Sequence, residues 1–174
     1  MDILRSPWRY DYVSTASDPR PCVLCVDSGG VQDAAVGSSP PSDEASLVLY
    51  RGPRTFVIMN LYPYTSGHLM VVPYRHIGTM TELEVDELRE MMVLAQRSTE
   101  VLENSYRPEG FNIGMNIGHC AGAGVRHHLH LHVVPRWCGD VNFMTTTGET
   151  RVLPEDVHDG YRRLRPLFSS LAPL

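Results

Sequence analysis

The chain contains no lysine. All 15 of its strongly basic residues are arginine, set against 20 acidic ones, for a formal net charge of −5 over 174 residues. A mildly acidic chain of this kind lacks the basic track that nucleic-acid backbones or anionic membranes attract, so neither is expected as a partner. Nor does any apolar run approach the ~20 residues that cross a bilayer. The opening stretch Met1-Asp2-Ile3-Leu4-Arg5-Ser6-Pro7-Trp8 lacks the apolar core of a secretory leader. A cytoplasmic location is therefore expected, where the four cysteines need not form disulfides. The length suits one domain, and no internal repeat divides it.

Turn residues and periodicity outline that domain. An aromatic and basic N-terminal arm (residues 1–26) carries Trp8, Arg9, Tyr10 and Tyr12 and ends in Cys22-Val23-Leu24-Cys25. Residues 27–45 are rich in Gly, Ser, Pro and Ala, with little to bury, and are expected to form a flexible loop within the domain. Ser46–Arg51 and Arg54–Asn60 read as strands joined by a Gly52-Pro53 turn, and His68–Val72 as a third strand stopped by Pro73. Thr81 to Tyr106 reads as one long helix. It has a Thr81/Glu84 capping box and an inward stripe of Val85, Leu88, Met91, Met92, Ala95, Val101 and Leu102. Phe111–Asn116 alternates apolar and polar residues and predicts a strand with one buried face. A C-terminal segment, 146–174, holds a short helix from about Glu155 to Leu171, with Tyr161, Leu164 and Phe168 on one stripe. The expected class is α+β: a mostly antiparallel sheet, one long helix and a C-terminal helix.

The densest chemistry lies in His128-Leu129-His130-Leu131-His132-Val133-Val134. In an extended strand the three imidazoles share one face at a spacing of roughly 6–7 Å, with the aliphatics on the other. One histidine on a strand is ordinarily a satisfied core or surface residue. Three on one face give a core nothing, and predict an active-site floor. A single ion cannot be ringed by all three, because the row spans roughly 13 Å; at most one end can be a metal ligand. Phosphoryl chemistry fits better. The loop Cys120-Ala121-Gly122-Ala123-Gly124-Val125 can offer backbone N–H groups to an anion, Asn112 and Asn116 lie on the polar face of their strand, and Arg126 and Arg136 bracket the histidines.

These residues resemble the histidine-triad (HIT) superfamily, whose signature is three histidines alternating with apolar residues. The resemblance extends over about residues 46–145. It includes Leu61-Tyr62-Pro63-Tyr64 through Gly67-His68-Leu69-Met70-Val71-Val72-Pro73. The run Val134-Pro135-Arg136-Trp137, then Gly139-Asp140 and Asn142-Phe143, is similar to the branch that phosphorolyses dinucleoside polyphosphates. The resemblance implies a HIT-like fold, a homodimer, and cleavage of substrates such as diadenosine tetraphosphate (Ap4A) at the α-phosphate. His130 is then the nucleophile that takes up the nucleotide, and water or orthophosphate releases it. His132 contacts phosphate and moves the proton, Asn60 holds the ribose, and Asn112, Asn116, Gly122, Gly124 and Val125 line the phosphate. Hydrolysis of Ap4A, Ap3A or a nucleoside phosphoramidate, and binding without turnover, are the alternatives. The chain departs from many relatives at Gly124, where a Ser or Thr hydroxyl is common; His127 or Arg126 is the candidate substitute. By strand parity His127 faces away from the triad.

Cys22 and Cys25 have the spacing that grips one metal, although on spacing alone a redox pair fits equally. The resemblance adds His76 and His128, the positions that complete a Cys2His2 zinc set in some relatives, which implies a structural zinc on Cys22, Cys25, His76 and His128. Cys120 and Cys138 are left as unpaired thiols.

Overall fold

The structure, a computed structural model, describes residues 22–26, 42–141, 147 and 155–174. The arm up to residue 21, most of the 27–45 loop and Asn142-Phe143 lie outside the described residues. The chain runs β1 (Val48–Arg51), β2 (Thr55–Met59), β3 (Leu69–Pro73), α1 (Val85–Tyr106), β4 (Gly110–Met115), β5 (Leu131–Arg136) and α2 (Val157–Ser169). All sheet neighbours are antiparallel, in the order β1-β2-β3-β5-β4. Both helices pack on this sheet and on each other. The fold is α+β, as expected. None of the described helices is long and apolar enough to cross a membrane.

The topology places the last strand inside. β5 enters between β3 and β4, so residues 131–133 are paired on both sides, 134–136 to β4 alone, and the strand is almost wholly buried. Met70 pairs with His132, which in turn pairs with Gly114, while Leu69 and Val71 pair with Val133 and Leu131 on the other face. The hairpin of β1 and β2 closes through Gly52, whose N–H donates to the Thr55 carbonyl at 2.8 Å.

Three local expectations need correction. Helix α1 starts at Val85, four residues later than the Thr81/Glu84 box implied. Two boxes surround that site instead: Thr79 with Glu82 closes a short 3-10 turn (Met80–Glu82), and Glu84 with Glu87 caps α1. The extended backbone at Leu83 and Glu84 separates the two. The inward stripe of α1 is Met91, Leu94, Ala95, Ser98, Val101 and Leu102, whereas Val85 is 80% and Met92 56% exposed. Ser98 is tolerated inside because its hydroxyl donates to the Leu94 carbonyl. The expected buried face of Phe111–Asn116 is largely uncovered, with Ile113 46% exposed, because β4 is an edge strand paired only to β5. The C-terminal helix buries Tyr161, Leu164 and Phe168 as its stripe predicted.

Candidate active site

The row is expected to be extended from His128, but ladder pairing of β5 begins only at Leu131: His128 lies in a bend and His130 in the segment just before the strand. All three triad histidines are buried, and the His130 and His132 rings meet edge-to-face with centroids 4.8 Å apart. That is closer than the strand repeat, because the rings tilt toward each other. His130 Nδ1 lies 2.8 Å from the His128 carbonyl. A carbonyl only accepts, so Nδ1 carries the hydrogen and Nε2 keeps its lone pair. Burial lowers the His130 pKa below the ordinary imidazole value, which favours the neutral ring.

His132 is set differently. The Tyr64 backbone N–H donates to His68 Nδ1 at 3.0 Å, so His68 carries its hydrogen on Nε2. That Nε2–H meets His132 Nδ1 at 2.9 Å in a buried contact. His132 Nδ1 is therefore an acceptor, and the ring hydrogen resides on Nε2. Asn60 sits beside this chain: its Nδ2 is 3.3 Å from His68 Nδ1, and its Oδ1 accepts from the Tyr62 N–H. Sequence reasoning gave His68 no role. Its only signal was its place in the quoted block; its partner comes from the pairing of β3 with β5.

His132 opens onto a cleft of about 560 Å³ whose lining includes Tyr64, Asn112, Gly114, Asn116 and Arg136. Gly114, opposite His132, leaves open space where a side chain would stand. Asn116 and Ala121 lie at this end of the cleft. In the following loop Gly118 and Gly122 have φ of +80° and +82°, which glycine adopts without strain. The Gly122 and Ala123 N–H groups close the loop on His119 and Gly118. Gly124 and Val125 carry their N–H groups outside those closing bonds. His127 is exposed in the turn before the row, where strand parity does not apply, and Arg126 is half-buried.

A second cluster begins at the same histidine run. One ligand atom from each of Cys22, Cys25, His76 and His128 lies within 4.8 Å of the others. His128 Nδ1 is 3.5 Å from Cys22 Sγ and 3.6 Å from Cys25 Sγ, and His76 Nδ1 is 3.2 Å from Cys25 Sγ. His128 Nε2–H donates to the Pro73 carbonyl at 2.8 Å, so the His128 Nδ1 lone pair faces the thiols. Burial first, and the neighbouring Cys22 second, push the Cys25 thiol up to about 11. Beside Cys22 the Cys25 thiol resists ionising without a nearby cation, and a divalent ion reverses that balance. The spacing fits tetrahedral coordination with Zn–S of about 2.3 Å and Zn–N of about 2.0–2.1 Å. The cluster can hold a metal.

Comparison with known proteins follows the same outline. The family model described as "HIT domain" matches residues 42–138. The chain is 47% identical over 123 residues to "AP-4-A phosphorylase" of Mycobacterium tuberculosis, covering 71% of this chain and 63% of that protein. It therefore spans less than two thirds of that relative's length. It is 32% identical over 91 residues to the asymmetrical bis(5'-nucleosyl)-tetraphosphatase of Schizosaccharomyces pombe, covering 52% of this chain and 50% of that protein. Among solved structures, a hypothetical histidine triad nucleotide-binding protein from Sulfolobus tokodaii superposes with a TM-score of 0.59 at 25% identity, over 72% of this chain and 85% of that one. With more than half its length matched by the family model, the chain belongs to the HIT domain family.

Proposed function

We propose that this protein cleaves dinucleoside polyphosphates such as Ap4A at the α-phosphate, through a nucleotidyl-His130 intermediate that orthophosphate then resolves. The carrying observation is the hydrogen bond from His130 Nδ1 to the His128 carbonyl, which leaves a buried Nε2 lone pair on a ring packed against His132, itself part of the cleft wall. Nε2 attacks the α-phosphorus as the bond to the leaving oxygen breaks, and His132 Nε2–H gives that oxygen its proton. An orthophosphate oxygen then attacks the same phosphorus. The N–P bond breaks and ADP departs, with ATP as the first product. Asn116 and the Gly122–Val125 loop, through the Gly124 and Val125 N–H groups, offer donors to the transferring phosphoryl group, Asn112 lines the cleft further along β4, and Asn60 holds the ribose.

The 47% identity to the mycobacterial phosphorylase supports this acceptor. Hydrolysis is the second reading, favoured by the match to the yeast tetraphosphatase. Incubation with Ap4A and labelled orthophosphate separates the two. Label appearing in ADP is expected; AMP and ATP formed at equal rates with and without phosphate assigns hydrolysis. No turnover of any nucleotide anhydride or phosphoramidate leaves a binding module.

Two further parts belong to this reading. Cys22, Cys25, His76 and His128 hold a zinc whose role is structural, since four protein ligands leave no open position for substrate; reduced thiols suit the cytoplasmic setting expected from the sequence. The chain forms a homodimer, for which the uncovered edge strand β4 with exposed Ile113 offers a surface.

A further inference from the structure

The far end of the cleft is built around a residue pair the reaction above does not use. Arg136 follows His132 by four strand residues, roughly 13 Å further along the same face. Its Nε and Nη2 donate to the two oxygens of Asp140 at 2.5 and 2.8 Å, and Nη1 donates to Asn112 Oδ1 on β4 at 2.6 Å. The Asp140 side chain is only 12% exposed, while that of Arg136 is 41% exposed and borders the cleft. An arginine that merely closed the turn after β5 would need Asp140 alone. The third contact, from the neighbouring strand, fixes the guanidinium plane. Among the described residues, three of its five N–H groups are engaged in this way.

We propose that Arg136, held by Asp140 and Asn112, forms a subsite for the part of the substrate beyond the reacting phosphorus, and binds a distal phosphate of the leaving nucleotide. This rests on the reading of the cleft as a dinucleoside polyphosphate site. The single phosphate of a mononucleotide held at His132 lies roughly 13 Å along the strand from Arg136, whereas a polyphosphate chain extends along the cleft toward it. Asp140 offsets the arginine's charge, so the contribution is that of charge-assisted hydrogen bonds, about tenfold in affinity, rather than that of an unpaired cation. The subsite selects for chain length and leaves the chemical step alone.

Calorimetric titration of the full-length protein tests this, with AMP, a methylene-bridged non-hydrolysable Ap4A analogue and inorganic phosphate as separate probes. The wild type is expected to bind the analogue more tightly than AMP. Arg136→Gln should weaken the analogue about tenfold and leave AMP within about twofold. The double variant Arg136→Gln/Asp140→Asn, which removes the buried unpaired carboxylate, should behave alike and guards against misfolding. Equal losses for AMP and analogue, or no loss for either, overturn the proposal. So does a wild type that binds both probes equally, or a loss confined to inorganic phosphate, which would assign Arg136 to the acceptor. Turnover of wild-type protein is read separately. Intact cleavage without the binding pattern sinks only the subsite, whereas the binding pattern without cleavage sinks only the catalytic reading.

Discussion

His128 and His132 flank His130 at equal distances in sequence, and both are buried, yet their surroundings give them opposite tasks. His128 donates from Nε2 to the Pro73 carbonyl and turns its Nδ1 lone pair toward Cys22 and Cys25. His132 accepts at Nδ1 from His68 and keeps its hydrogen on Nε2, beside the cleft. Between them His130 donates from Nδ1 to the His128 backbone and keeps a lone pair on Nε2. One side-chain type at one spacing thus meets three different hydrogen-bonding settings, which the proposed reaction uses as metal ligand, nucleophile and acid. The partner of the second ring nitrogen makes the difference.

The comparison breaks most visibly at its centre. His130→Ala should lower turnover of Ap4A by about 10⁴-fold or more while nucleotide affinity changes by less than about threefold. Steady-state assays with calorimetry read both, and residual turnover within tenfold of wild type would remove His130 from the reaction. On the metal side, Cys22→Ser should drop bound zinc from about one per chain to a small fraction and lower Tm by roughly 6–12 °C. Elemental analysis and thermal melts check this; an unchanged metal content would count against the cluster.

On the phosphate side, His68→Ala leaves His132 Nδ1 without its buried donor, and kcat should fall about 10–100-fold with metal content unchanged. If zinc and kcat fall together, the two ends of the run are not separable. The smallest effect concerns the turn that carries His76. Arg75 pairs with the buried Glu87 at 2.8 and 2.7 Å and also donates to the Glu82 carbonyl. Arg75, through its hydrogen bond, holds the Glu87 carboxyl below its usual range of about 4.5. The stability this contributes is present above that pH and is lost as pH falls through the lower folded-state value. Glu87→Gln should lower Tm by about 2–4 °C near neutrality, and the difference from wild type should shrink in acid. A difference that does not shrink as the pH is lowered would assign the loss to packing.

Much of this molecule is written in local pattern. The alternation at residues 128–134, the Gly52-Pro53 turn and the Tyr161/Leu164/Phe168 stripe are short-range signals, and the strands and helices follow from them. The errors arose where long-range partners decide. Glu87 and Ser98 are not part of the inward stripe read from the sequence, yet both lie inside, where Arg75 and the Leu94 carbonyl satisfy them. Ile113 read as core, but its strand lies at the sheet edge.

The amino-acid order alone determined the fold class, the histidine row, the cysteine pair and the family, because each is carried by residues adjacent in the chain or at fixed spacing. Only the tertiary structure decided what each imidazole does. Pairing β3 with β5 delivers His68 to His132, and bringing residues 22–25 beside Pro73 and His76 delivers the thiols to His128. A ring's tautomer follows from the neighbour it meets, and for His132 and His128 those neighbours, His68 and Pro73, lie 64 and 55 positions away.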